Sequence, residues 1–158
     1  MISATIIVSV LLLNSVFVTA SPIQKFDSFG DTCCNDEKAR LDNFALTLQQ
    51  QPEAIGYIIF YGGKTQNFPS CQSAHPRLPR HGDAQARAAR LKPYLVNTRS
   101  IDASRVVVID GGYRESWTAE LWIVPKGTPP PTPSPTVKRR DIRYRKGRVK
   151  KSEYECQV

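Results

Sequence analysis

Residues Ala54 to Lys64 read AIGYIIFYGGK, and this run constrains the chain more than any other. Seven apolar or aromatic residues occupy eight positions before Gly62-Gly63 ends them. The run is too short to span a membrane and rich in Ile and Tyr. It predicts a strand buried on both faces. A helical pattern stands on either side of it in sequence, which predicts an α/β layer around a central strand.

Before this strand, Leu41, Phe44, Ala45 and Leu48 recur at helical spacing. They predict a helix capped by Asp36 and ended near Pro52. Gln24 to Phe29 reads as a short first strand. After the central strand, Lys64 to Gly82 has no hydrophobic period and contains Pro69, Pro76 and Pro79, so a long loop is expected. Asp83 then caps a second helix, with Ala84, Ala88, Leu91 and Leu95 on one face and Pro93 bending its last turn. RVVVID, Arg105 to Asp110, is a strand broken by Gly111-Gly112, and Thr118 to Val124 is the last strand. The predicted fold class is α/β: a two-layer α+β sandwich in the order β-α-β-α-β-β, with helices on one face of a mixed sheet.

The ends of the chain differ from its middle. Ile2 to Leu13 is almost wholly apolar, and Val18-Thr19-Ala20 offers small residues for cleavage before Ser21. Residues 1–20 are therefore expected to be a signal peptide, although a basic first segment is missing. Residues 21–125 form one domain, 126–137 a Pro-rich linker and 138–158 a basic tail expected to stay extended unless Cys156 staples it. From Lys126 onward there are ten Lys or Arg against three acids, whereas Ser21 to Pro125 has twelve against eleven. The net positive charge thus belongs to the tail, where a polyanion would be drawn. Export makes nucleic acid an unexpected partner.

Four cysteines in an exported chain suggest disulfides. Cys33 and Cys34 are neighbours, and a bridge between neighbours is strained, so Cys71 and Cys156 are the candidate partners. A metal site built from Cys33, Cys34, Cys71 and His75 or His81 is the alternative, but no metal-ligand spacing supports it. No cofactor is expected. There is no G-x-S-x-G elbow, P-loop or H-E-x-x-H.

The ordered segments LDNFALTLQQQPEAIGYIIFYGG and ARAARLKPYLVNTRSIDASRVVVIDGGYRE resemble the OmpA-like domain of bacterial envelope proteins, the module that holds peptidoglycan. Arg87-Ala88, Tyr94-Leu95, Ile101 and Gly111-Gly112 stand where that family places its Arg-Ala pair, Tyr-Leu, helix-to-strand corner and Gly-rich turn. The resemblance implies a periplasmic or secreted, non-enzymatic, envelope-associated domain. It also implies that Arg87 grips the diaminopimelate end of peptidoglycan together with an acid at the end of the central strand. Here Lys64 stands at that turn in place of the acid, and Lys64 cannot accept a hydrogen bond from an ammonium. Arg87 and Lys64 are the candidate ligand-binding residues. The alternative is a scaffold or adhesion domain that has lost this site and binds polyanions through its basic tail. A third reading, an exported hydrolase, rests on the Asp110 and Glu115 carboxylates alone.

Overall fold

The computed structural model describes residues 23–67 and 76–154. The expected signal peptide, Cys71, His75 and Cys156 lie outside the described residues. The chain runs β1 (Lys25–Phe29), α1 (Cys34–Gln50), β2 (Ile55–Thr65), α2 (Asp83–Ala88), β3 (Val106–Ser116) and β4 (Thr118–Val124). This is the β-α-β-α-β-β order that the periodicity predicts. The sheet has the order β1-β4-β2-β3. β2 pairs parallel with β3 and antiparallel with β4, which is itself antiparallel to β1. The apolar run is therefore the central strand of a mixed sheet.

Side chains alternate along a strand, so β2 serves two faces. Ile58 and Phe60 join Leu41, Phe44 and Leu48 of α1 and Ala88, Leu91 and Leu95 of the second helical segment in one core. Gly56 belongs to the same face: a Cβ there would come within 2.7 Å of Leu48 and 2.9 Å of Phe44. Ile59 and Tyr61 point the other way and are equally buried.

Three boundaries differ from expectation, besides that of β2, which runs through Gly62-Gly63 to Thr65. α1 begins at Cys34, before Asp36, whose carboxylate instead accepts a 2.6 Å bond from Thr32 Oγ1. The second helix is segmented into α2, a turn at Leu91–Pro93 and a π-type turn at Tyr94–Thr98. Pro93 has no N–H to donate to the preceding turn, so the regular ladder cannot run through it. Third, Gly111-Gly112 does not end β3. It forms a bulge: Phe60 is opposite Asp110, but Gly62 is opposite Tyr113. Gly112 has a φ of 89°, which a side chain would resist.

The Pro-rich segment and the tail are part of the fold, held there by polar groups of the domain. Past β4, the Ser134 N–H donates to Tyr61 Oη at 3.0 Å on the far face of the sheet. Val137 then bridges Tyr113 at the outer edge of β3. The chain continues to the ends of β2 and α2, where Ile142 and Tyr154 are buried. No helix among the described residues is long and apolar enough to cross a membrane.

Candidate functional site

Charged residues that pair with one another converge where β2 ends and α2 begins. Arg87 has no exposed surface. Its guanidinium pairs with the Asp31 carboxylate, donates to Gly30 O at 2.9 Å and lies 3.7 Å over the Trp117 ring. Burial pulls its pKa down to about 10 against the opposing pull of Asp31 and Glu37, which leaves it charged at neutral pH. Asp31 also accepts from the Asn67 N–H at 3.0 Å, just past β2. An acid does therefore meet Arg87 at the end of the central strand, but it comes from the turn after β1.

The neighbouring groups are tied in the same way. Glu37 accepts from Arg90 at 2.7 Å and 2.5 Å, and Arg90 donates to Tyr154 O at 2.6 Å. Asp83, fully buried, accepts from Tyr154 Oη at 2.5 Å, Gln66 Nε2 at 2.7 Å and the Arg80 N–H at 2.5 Å. Burial alone would raise the Asp83 carboxyl. The bonds from Tyr154 and Arg80 outweigh it and hold the group below its ordinary value. Arg80 also pairs with Glu153. The tail is docked by these groups.

Lys64 is elsewhere, half-buried and bonded to Glu115 at 2.9 Å. That pair uses one of the two carboxylates on which the hydrolase reading depends; the other, Asp110, accepts from Gln85 and the Gly112 N–H. Cys33 and Cys34 are both disulfide-bonded, so neither supplies a thiolate to a metal.

No protein-family model and no curated protein matches this chain.

Two further accessible features carry polar or charged groups. One is a strip of exposed cations on the docked tail: Lys138, Arg139, Arg140, Arg143, Lys146, Arg148 and Lys150. Among the described residues, the only ion pair these make is Arg140 with its neighbour Asp141 at 4.0 Å. The other is a recess beside α2 lined by Gln85, Asp110, Tyr113, Pro135, Val137 and Arg139. Neither Arg87 nor Lys64 lines it.

The sequence pointed to Arg87 but not to its partner. Asp31 and Arg87 are 56 positions apart, and no periodicity connects them. The basic composition of the tail was legible, while its attachment was not. Single polar side chains carry that attachment, and they leave no pattern to read.

Proposed function

We propose that this chain is an exported, non-enzymatic, OmpA-like domain associated with the bacterial cell envelope. It binds an anionic envelope polymer, peptidoglycan included, through its basic strip rather than through Arg87. The observation that carries this reading is the strip itself. Its cations stand on a segment anchored by Ile142, Tyr154 and the Arg145 bonds to Leu78 O and Pro79 O, and among the described residues only Arg140 has an acidic partner, its neighbour Asp141. Cations held in place by the fold cost less entropy to order on a ligand than cations on a free tail. The β-α-β-α-β-β order and mixed sheet support the resemblance, and the disulfides at Cys33 and Cys34 support export. Asp31 gives Arg87 the carboxylate that a ligand would otherwise supply, which removes the reason to assign Arg87 an external partner.

The test is retention of the mature protein on purified peptidoglycan and on an acidic polymer across a salt series. Arg140→Gln, Arg143→Gln, Lys146→Gln and Arg148→Gln are combined in one variant. Retention that falls with salt and drops about tenfold or more in the variant is expected. Unchanged retention by a folded variant overturns the strip. Removing the whole tail is a poorer test, because it also strips Tyr154 from Asp83 and Ser134 from Tyr61.

A further inference from the structure

The recess beside α2 exists because of the β3 bulge. Without the extra residue at Gly111-Gly112, strand alternation would put Tyr113 on the far face. With it, Tyr113 lies on the α2 side, where a Cβ on Gly62 would meet the Tyr113 ring at 2.9 Å and Ala84 at 3.3 Å. The tail supplies the opposite wall through Pro135, Val137 and Arg139. The cleft measures about 440 Å³, within the range of small-molecule sites. A deeper recess of about 100 Å³ adjoins it, with Gln85, Tyr113 and Arg139 lining both, and reaches His81 and Tyr144.

The lining is aromatic and hydrogen-bonding at once. His81 stacks on Tyr144 at 3.7 Å between centroids, and Tyr144 Oη donates to Tyr113 Oη at 3.0 Å. Burial and that hydroxyl contact push Tyr144 up to about 12, so it stays a neutral phenol at physiological pH. Asp110 takes one bond from Gln85 at 3.1 Å and one from the Gly112 N–H at 3.0 Å. A carboxylate has about four lone-pair sites, which leaves acceptors for ligand hydroxyls. Arg139 at the rim makes no ion pair among the described residues, and its fork matches a carboxylate.

We infer that this recess is a saccharide site that takes a carboxylate-bearing sugar unit of an acidic polysaccharide. The Tyr113 ring takes the apolar face of a sugar ring, Asp110 and Gln85 take its hydroxyls, and Arg139 takes its carboxylate. Charge decides against phosphate. A phosphate group carries roughly −1.5 to −2, and Asp110 shares the wall with Arg139. A neutral sugar would leave Arg139 without a partner. The inference rests on the polyanion reading above and names the unit that the polymer presents.

Calorimetric titration of the mature, oxidised protein tests it with three ligands: oligogalacturonate, a neutral galacto-oligosaccharide of equal length and inorganic triphosphate. Oligogalacturonate is expected to bind about tenfold tighter than either of the others. Arg139→Gln and Gln85→Ala should each abolish that preference, whereas Arg148→Gln, away from the cleft, should weaken both anions alike. Circular dichroism establishes that each variant is folded. Triphosphate binding as tightly as the uronate, or Arg139→Gln behaving like Arg148→Gln, overturns the saccharide site while the basic strip stands. Failure of both anions to bind at low salt removes both.

Discussion

The two faces of the sheet are sealed by different physics. The α1–α2 face is closed by aliphatic and aromatic side chains, with Leu41, Phe44, Leu48, Leu91 and Leu95 against Ile58 and Phe60. The far face is closed by polar groups that satisfy one another. Glu120, 3 % exposed, accepts from Tyr61 Oη, Lys25 Nζ, Arg114 Nη2 and Trp122 Nε1 at 2.9 Å to 3.3 Å. Arg114 lies 3.6 Å over the Tyr61 ring and reaches Ser134. The core of the first face is held by hydrophobic burial, which has no direction. That face also carries directed contacts, among them the ion pairs of Arg87 and Arg90 with Asp31 and Glu37 and the polar cluster around Asp83. The second needs each donor to find its acceptor, because a buried polar group left without a partner is costly. One face therefore tolerates repacking, and the other depends on single atoms.

The largest expected effect comes from placing a charge where the far face is dry. Ile59→Asp should abolish folding, since an unpaired buried carboxylate costs several kcal/mol against a total stability of about 5–15 kcal/mol. A native-like spectrum for this variant would mean that the far face is open to water. Next is Arg87→Ala, which strands Asp31 and uncovers Trp117. A loss of about 3–5 kcal/mol in denaturant unfolding is expected. A change below about 1 kcal/mol would show that the pair is not buried in solution.

Tyr61→Phe removes one hydroxyl and keeps the ring. It should cost about 1–3 kcal/mol, because the Ser134 N–H and Glu120 lose a partner. Hydrogen exchange should then speed up in residues 126–137 and not in α1. Equal acceleration of both would erase the difference between the faces.

Acid should sharpen the same contrast. Burial raises the Glu120 carboxyl, but the bonds from Lys25 and Arg114 prevail, and Glu120 and Asp83 both sit below their ordinary values in the folded protein. Their contribution is complete above the unfolded carboxylate range, about pH 4, and is lost as pH falls through the lower folded values. Between roughly pH 5 and pH 2, amides of residues 126–154 should lose protection before those of α1. Uniform loss would contradict the comparison. The smallest effect belongs to Lys64→Ala. Its partner Glu115 is exposed, so thermal unfolding should register no more than about 1 kcal/mol.

The helix-facing half of this protein was legible because its signals are local. Leu41, Phe44 and Leu48 repeat at the helical period, and the β2 run is apolar throughout, so each element declares its buried face without reference to the rest of the chain. The bulge was only half legible. Gly111-Gly112 marked an irregularity, but whether it ended β3 or kinked it depended on β2 pairing on both sides of it. The site was least legible. Arg87 stood out through resemblance, while Asp31 as its partner and Arg139 as a wall of the cleft did not.

By itself the sequence determined the class of layer, the central place of Ile55 to Thr65 and the concentration of positive charge after Lys126. Only the tertiary structure decided where that charge is held. Tyr154 reaches Asp83 across 71 positions and Ser134 reaches Tyr61 across 73. Hydrophobic burial works through many interchangeable contacts and so leaves a periodic record. A directed hydrogen bond between two distant residues leaves none, because it constrains only one side chain at each end.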